Sequence, residues 1–254
     1  MIIGVPKEIK LQEHRIGLTP DSVKALTDKN HEVLIEDNGG FEAGFTNEDY
    51  IAAKAKVVKT PEEIFKKAEL IVKVKEPQMS EVKMIRENQI IYTYLHLAAA
   101  KELTEGLIST KSICIAYETV TDDNGRLPLL APMSAVAGRM SIQAGAHSLE
   151  KNQKGRGLLL GGAPGVEPAN VVILGGGVVG ENAAVIATGM RGKVYVVDKS
   201  KERLKQLHKM FGDKIIPTES DKTDLNKLVS ECDLLIGGVL IPGAEAPKLV
   251  TKEM

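Results

Sequence analysis

One stretch of this chain has residue types and spacing suited to binding a phosphate-containing cofactor. Gly175, Gly177 and Gly180 form the pattern G-x-G-x-x-G directly after an apolar run of strand length, and an apolar helix-like segment follows. In a dinucleotide fold the first glycine makes the tight turn, the second lets backbone approach a pyrophosphate, and the third lets helix and strand pack closely. Asp198 ends the next strand-like run, where an acid accepts hydrogen bonds from a ribose diol and repels a 2′-phosphate. The stretch predicts an NAD site; the alternative is an ordinary βαβ turn whose glycines only pack.

Three other side chains could bind and convert a small keto or amino acid. Arg15 lies in KLQEHRIGLTP, Lys75 in LIVKVKEP and His96 in IIYTYLHLAA, each after a strand-like run. Arginine offers a planar fork for a carboxylate, lysine a second cation that holds a carboxylate or polarises a carbonyl, and histidine a general acid or base. Taken alone, each is more typical of a solvated charge or a packed histidine. Their shared strand-end position groups them, because ligands bind outside the carboxyl ends of strands in open parallel sheets.

The elements that must position these residues alternate between strands and helices before the glycine motif. This alternation predicts a parallel sheet covered on both faces. Thr19 with Pro20, Thr46, Thr60 with Pro61, and Ser80 are expected to begin helices as capping or first-turn residues. The expected strands are Ile2–Val5, Glu32–Glu36, Leu70–Val74, Gln89–Leu95 and Ser112–Tyr117. The expected helices are Pro20–Lys29, Thr46–Ala55, Pro61–Ala68, Ser80–Glu87 and Ala100–Ser109.

A long helix from Pro132 to Gln153 and a glycine-rich loop separate this part from the glycine motif. Small residues along the helix, among them Gly138 and Gly145, predict close packing against neighbours. After Asp198 the pattern predicts further elements, at Lys201–Phe211, Lys214–Pro217, Thr223–Ser230 and Asp233–Leu240, and then the first turns of a helix at Pro247–Met254. A six-stranded nucleotide fold needs more chain than this.

The predicted fold is therefore α/β, with two doubly wound domains. An N-terminal substrate domain is expected in residues 1–132, a connecting helix and loop in 133–168, and a Rossmann NAD-binding domain that looks incomplete in 169–254. The length of 254 residues suits two domains of ordinary size.

Composition restricts the partners and the compartment. The chain is 43% hydrophobic and 26% charged, and 33 basic against 34 acidic residues leave no excess charge to attract nucleic acid or an anionic membrane. Cys114 and Cys232 lack a C-x-x-C partner and are expected to be buried thiols of a cytoplasmic protein. The N-terminus does not have the pattern of a secretory signal, no apolar segment has membrane-spanning length, and no His, Cys and Asp spacing indicates a metal site.

Five separated motifs carry a resemblance to a known family. GVPKEIK…HRIGLTP, KVKEP, YLHLA, LLAPMSAVAGRM and ILGGGVVG occur in this order and spacing, and together they resemble the alanine dehydrogenase family across the whole chain. The resemblance implies reversible NAD-dependent oxidative deamination of L-alanine to pyruvate and ammonia, by a homo-oligomer that is usually a hexamer.

The resemblance also assigns roles to individual residues. Arg15 and Lys75 match substrate-binding positions, and His96 matches the proton donor and acceptor. Positions that match cofactor contacts are Ser134, Val179, Asp198, Arg203, Ser220, Val239 and Leu240.

The expected elements place several of these cofactor positions. Val239 and Leu240 are expected to end the fourth strand of the second domain, where a nicotinamide ribose could rest. Ser220 is expected after the third strand near the adenine, and Arg203 over the adenine face.

Members of the family continue into a strand ending in V-D-x-A-x-D-Q-G-G, whose second Asp is a catalytic partner, and then into a helix that returns to the first domain. That motif does not occur here, so the chain is expected to be shortened relative to its family. One alternative function is the NAD(H)-binding subunit of a proton-translocating transhydrogenase, which shares a similar beginning. Another is an NAD-binding fragment without turnover.

Overall fold

The structure, a computed structural model, describes residues 1–241 and 246–254. The chain divides into two compact units, Met1–Leu127 and Pro128–Met254. Within the described residues each unit contains one parallel sheet, which confirms the predicted α/β class.

The sheet of the first unit has six parallel strands in the order β3-β2-β1-β4-β5-β6. The chain builds one half of the sheet outward from β1 and then returns to start the other half at β4. The elements of this unit are β1 (Ile2–Val5), α1 (Pro20–Thr27), β2 (Glu32–Glu36), α2 (Asn47–Ala52), β3 (Lys56–Val58), α3 (Pro61–Lys67), β4 (Leu70–Val72), α4 (Met79–Val82), β5 (Ile90–Thr93), α5 (Lys101–Thr110) and β6 (Ile113–Ala116).

Apolar cores form on both faces of this sheet, as a parallel sheet covered by helices requires. On one face, Val23 of α1 and Tyr50 of α2 are buried with alternate residues of the central strands. On the other face, helices α3, α4 and α5 pack with Ile71 and Ile91. The central strands are therefore rigidly held, and their carboxyl ends form a stable platform.

Helix starts in this unit follow the predicted capping chemistry in three cases. The side chains of Thr19, Thr46 and Thr60 accept hydrogen bonds from backbone N–H groups at the starts of α1, α2 and α3. At Thr46 the cap is reciprocal, because Asp49 accepts from the Thr46 N–H at 2.7 Å.

In the first unit one helix prediction is wrong and one strand was not predicted. The helix expected at Ser80–Glu87 is the single turn α4, which Gln78 precedes as the capping residue. The strand β3 was not expected, because three residues are too short for a readable pattern; pairing with β2 is what creates it.

The second unit has a four-stranded parallel sheet in the order β10-β7-β8-β9. Here too the chain extends the sheet in one direction and then crosses back, placing β10 beside β7. The elements are α6 (Ala131–Ser148), β7 (Asn170–Leu174), α7 (Val178–Gly189), β8 (Lys193–Asp198), α8 (Lys201–Phe211), β9 (Ile215–Glu219), α9 (Leu225–Ser230) and β10 (Leu234–Gly237).

Small residues bring α6 against this sheet and its first helix. A Cβ atom added to Gly138 would lie 2.2 Å from the carbonyl oxygen of Val179, and one added to Gly145 would lie 2.6 Å from Leu234. The approach at Gly138 requires glycine because its neighbour is backbone, whereas the leucine side chain that faces Gly145 can shift. Both glycines lie at close contacts of α6, as predicted.

Three expectations for the second unit and one for the two cysteines are wrong. The long helix ends at Ser148 instead of Gln153, and β10 ends at Gly237, so Val239 and Leu240 follow the strand and are not part of it. The described residues 246–254 contain no helical turn. Cys114, in the first unit, and Cys232 are free thiols but half-buried, not buried.

Candidate functional site

Three of the predicted residues follow the strands at the point where the first sheet reverses direction. Arg15 lies in the connection after β1, Lys75 follows β4, and His96 follows β5, and these three strands are neighbours. The boundary between β1 and β4 is a topological switch point, where connections leave to opposite faces and open a crevice. The connection carrying Arg15 lies close to β4, since a Cβ atom on Gly17 would lie 2.6 Å from the Val72 oxygen. The structure therefore brings these segments together, as the strand-end argument predicted.

The guanidinium of Arg15 is engaged by a carboxylate of its own loop. Its Nε and Nη2 atoms donate to the two oxygens of Glu13 at 2.7 and 2.6 Å, and its backbone N–H donates to the same group at 3.0 Å. The hydrogen bond from Arg15 is the largest influence on Glu13 and lowers the pKa of that carboxyl to about 2. The same pairing raises the pKa of Arg15. Arg15 therefore forms a bidentate ion pair with a carboxylate two residues away in its own loop.

The backbone of Lys75 is fixed on both sides. Its N–H donates to Glu8 Oε1 at 3.3 Å, and its carbonyl oxygen accepts from the Thr93 hydroxyl at 2.9 Å. Glu8 also accepts the N–H of Val74 at 2.6 Å. The side chain of Lys75 is 23% exposed and lies 4.0 Å from Glu76, so its ammonium remains accessible at the switch point.

A buried ionic group lies beneath this segment. The ammonium of Lys73 lies 3.1 Å from Glu8 and 2.8 Å from Glu81, and all three side chains are at most 2% exposed. Burial raises the pKa of Glu81 despite the nearby ammonium. Because removing one member would leave an unpaired charge in the interior, the group locks β1, β4 and α4 together. Through Glu8 it also fixes the backbone position of Lys75.

His96 has an unusual backbone conformation. Its φ of 51° and ψ of 36° lie in the left-handed region, which costs a residue other than glycine about 1–3 kcal/mol. Its ring stacks on Tyr94 with centroids 6.1 Å apart and an interplanar angle of 19°. Burial raises the pKa of the Tyr94 hydroxyl, and the positive charge of Arg15 opposes this shift. Arg15 therefore acts on the tyrosine that carries the His96 ring, which links two of the predicted residues.

In the second unit, the three motif glycines have different surroundings. Gly175 has a φ of 96°, and a Cβ atom there would lie 2.9 Å from Val239. A Cβ atom on Gly180 would lie 1.8 Å from the Gly175 oxygen, whereas one on Gly177 has no heavy atom within 4 Å. The first and third glycines therefore serve the turn and the packing of α7. The second leaves open space at the helix N-terminus, where a pyrophosphate is expected.

Asp198 and Arg203 hold the peptide groups of this loop. Asp198 accepts the N–H of Gly176 at 2.7 Å and that of Ser200 at 2.8 Å. Arg203 Nε donates to the Gly176 oxygen at 2.6 Å, and its Nη2 pairs with Glu181. The Arg203 guanidinium, which was expected over the adenine face, thus braces the glycine loop in this structure.

The remaining predicted cofactor residues lie near the same sheet edge. Val179 is in the first turn of α7, Ser220 follows β9, and Val239 and Leu240 follow β10. Ser134 lies on α6 one turn before Gly138, the residue at which α6 contacts α7. The boundary between β10 and β7 is the switch point of this sheet. The open glycine turn, the helix N-terminus and the Asp198 carboxylate fit a dinucleotide.

Several residues that support the site were not found by sequence reasoning. Glu8, Glu13 and Glu118 are acids that follow strands. The residues predicted after strands in this unit were cations and a histidine, so these acids were missed. Lys73 looked like one more charge in LIVKVKEP. The signal that could have found it is its place inside an apolar run, where a charge needs buried partners.

Among residues 1–241 and 246–254, no group of three or more His, Cys, Asp and Glu side chains is arranged to hold a metal ion. In the same part of the chain, no helix has the length and apolar character needed to cross a membrane.

Family models match nearly the whole chain. Residues 4–137 match the model of the alanine dehydrogenase/PNT N-terminal domain, and residues 141–254 match that of the C-terminal domain. Curated relatives named alanine dehydrogenase also match the chain. The one from Methanococcus maripaludis is 52% identical over 100% of this chain and 68% of its own length. The one from Bacillus subtilis is 49% identical over 100% of this chain and 67% of its own length.

Solved structures separate the two enzymatic interpretations. A structure named L-alanine dehydrogenase aligns with a TM-score of 0.89 at 50% identity, covering 99% of this chain and 69% of that one. A transhydrogenase from Sinorhizobium meliloti aligns with a TM-score of 0.78 at 24% identity, covering 100% of this chain and 74% of that one. The second likeness shows the shared fold, whereas the first confirms the predicted resemblance. The chain belongs to the alanine dehydrogenase/PNT family.

Proposed function

We propose that this protein catalyses the reversible, NAD-dependent oxidative deamination of L-alanine. In this reaction alanine, NAD⁺ and water give pyruvate, ammonium, NADH and a proton. The observation that carries the proposal is the sheet order of the first unit. It places the Arg15, Lys75 and His96 segments after three neighbouring strands at a switch point. These side chains together supply two cations for a carboxylate and one group for proton transfer.

The first unit binds and orients the substrate in this proposal. Arg15 receives the substrate carboxylate, and Glu13 orients its guanidinium by accepting hydrogen bonds from Nε and Nη2. Lys75 provides the second positive charge, which binds the carboxylate or polarises the pyruvate carbonyl. His96 accepts a proton from water as it adds to the imine carbon. It returns a proton as ammonia leaves.

The second unit holds the cofactor. Gly175, Gly177 and Gly180 form the pyrophosphate turn, and Asp198 accepts the ribose hydroxyls. The other proposed contacts are Ser134, Val179, Arg203, Ser220, Val239 and Leu240. When bound, NAD supplies the hydride acceptor for the substrate Cα.

The proposal also assigns a role to each of three parts of the chain. Residues 1–132 form the substrate domain, 133–168 the connecting helix and loop, and 169–254 the NAD-binding domain. We further propose a cytoplasmic homo-oligomer, and the sequence motifs shared with the family support six copies. Light scattering of the purified protein measures that number directly.

The central experiment measures NADH formation from NAD⁺ and L-alanine, with His96→Ala as the test variant. The substitution is expected to lower turnover by about 10²-fold or more, the usual effect of losing an acid/base group. His208→Ala is the matched control, because His208 is an exposed residue of α8 and its loss is expected to leave turnover unchanged. Equal rates for wild type and His96→Ala would exclude the role of His96.

Assays of the same purified protein distinguish the dehydrogenase from the two alternative functions. A transhydrogenase subunit would exchange hydride between NADH and an NADP analogue without forming NADH from alanine. An NAD-binding fragment without turnover would bind NAD and show neither activity. Either result would reject the dehydrogenase proposal for this chain.

A further inference from the structure

The left-handed backbone of His96 needs a structural cause. A left-handed conformation is uncommon for residues other than glycine, and histidine adopts it more often than most of them. It follows the buried Leu95 and precedes a short 3₁₀ turn at Leu97–Ala99. A conformation of this kind persists where surrounding contacts impose it, and such residues cluster at functional sites.

The backbone N–H groups at this position bind Glu118. One carboxylate oxygen accepts the His96 N–H at 2.7 Å and the Leu95 N–H at 3.0 Å, and the other oxygen lies 3.2 Å from the Leu95 nitrogen. Glu118 is half-buried and lies two residues beyond Ala116, which pairs with Thr93 in the sheet. The neighbouring strand therefore delivers a carboxylate to two consecutive amides at the end of β5.

The ring of His96 is held from the same segment. Tyr117, adjacent to Glu118, packs edge-on against Tyr94 with centroids 5.0 Å apart and against Tyr92 at 4.3 Å. Tyr94 in turn stacks on the His96 ring. Two consecutive residues after β6 thus contact the backbone of His96 and the tyrosine on which its ring stacks.

We propose that Glu118 is a positioning residue that holds His96 in the orientation needed for proton transfer. The inference rests on the proposed function for the role of His96, and on geometry alone for the backbone contact. A general acid/base must keep its nitrogen within hydrogen-bond reach of the reacting group. The two charge-assisted bonds from Glu118 offset the cost of the left-handed backbone and so fix the direction in which the side chain leaves the strand.

The test uses the full chain with Glu118→Gln, which keeps the size but removes the charge and one acceptor. Amide hydrogen exchange at Leu95 and His96 is expected to accelerate about 10-fold or more. In NMR spectra the imidazole resonances of His96 are expected to move, because the ring leaves its place over Tyr94, while the other four histidines stay unchanged. Turnover with alanine is expected to fall about 10-fold or more, with a much smaller change in KM, since orientation is lost and substrate binding is kept.

Glu102→Gln, which alters an exposed acid in the first turn of α5, is the matched control. If Glu118→Gln does not fold, Glu118→Asp keeps the charge on a shorter side chain and carries the same measurements. Unchanged exchange and unchanged His96 resonances would overturn the proposal. Faster exchange with unchanged turnover would also overturn it, by showing a purely structural contact. If wild type forms no NADH from alanine, the proposed function fails, whereas exchange and resonances still decide whether Glu118 orients His96.

Discussion

Replacing Gly180 by alanine tests whether the third motif glycine is required for packing. The added Cβ atom would lie 1.8 Å from the Gly175 oxygen and 3.0 Å from the Gly175 carbonyl carbon. Real Cβ atoms essentially never approach closer than 3.0 Å, so α7 must move away from the loop that it follows. Neither the oxygen nor the helix backbone can turn aside as a flexible side chain could.

The expected loss of stability follows from two opposing contributions. Forcing one extra methyl group into packed structure costs about 1–3 kcal/mol and sometimes more, and a backbone clash belongs at the upper end. Alanine is favoured over glycine in a helix by about 1 kcal/mol. The net loss is therefore about 2 kcal/mol. For a unit of this size that corresponds to a decrease in Tm of roughly 6–10 °C.

Gly177→Ala is the matched control, since it adds the same methyl group three residues earlier. No heavy atom lies within 4 Å of the added carbon, and the φ of −66° suits alanine. Stability is expected to stay within about 0.5 kcal/mol of wild type, because the small loss of capping preference and the gain from a stiffer unfolded chain offset each other. NAD binding is expected to weaken about 10-fold or more, because the methyl group fills the space that the pyrophosphate needs.

Urea unfolding of the three proteins and calorimetric titration with NAD provide the comparison. The reasoning predicts that Gly180→Ala loses stability and that Gly177→Ala loses affinity. A Gly180→Ala protein as stable as wild type would refute the packing argument. Wild-type NAD affinity in Gly177→Ala would refute the assignment of the open space to the cofactor.

Two further predictions concern charges of the first unit. Lys73→Met leaves Glu8 and Glu81 buried without their cation, so the free energy of unfolding at neutral pH is expected to fall by about 3–5 kcal/mol. Because burial raises the pKa of Glu81, lowering the pH protonates this carboxyl and relieves its repulsion with Glu8. Urea unfolding should therefore show a smaller loss of stability in Lys73→Met at about pH 5 than at neutral pH. Equal losses of stability at the two pH values would contradict this. The Glu13 pKa of about 2 lies below its ordinary value of 4.5. The pairing with Arg15 therefore stabilises the fold fully above about pH 4.5, and this stabilisation is lost as the pH falls from 4.5 to about 2. The stability difference between wild type and Arg15→Gln should therefore narrow between about pH 5 and pH 2.5; a constant difference would contradict the pairing.

Much of the fold could be predicted because its signals are local. Apolar runs of strand length, threonines before helices and the glycine turn each lie within a few residues, and β1, β2 and α8 have the expected bounds. The errors occur where pairing with a neighbouring strand or packing decides whether an element forms and where it ends. The three residues of β3 become a strand by pairing with β2, and α4 stops after one turn.

The candidate site divides in the same way. Residue type and strand-end position identified Arg15, Lys75, His96 and Asp198 as candidates. Their partners are distant in sequence. Glu118 lies 22 residues from the His96 amide that it binds, and Glu8 lies 65 residues from Lys73.

The sequence by itself determined the class of fold, the glycine-rich turn after β7 and the family, because these depend on residue types at short and regular spacing. The tertiary structure decided which charges are paired, that Glu13 binds Arg15, and that Glu118 binds the backbone N–H of His96, whose conformation is left-handed. The physical reason is that hydrogen bonds and ion pairs form between groups that sheet order brings together. That order joins β1 to β4 and β5 to β6 across long stretches of chain.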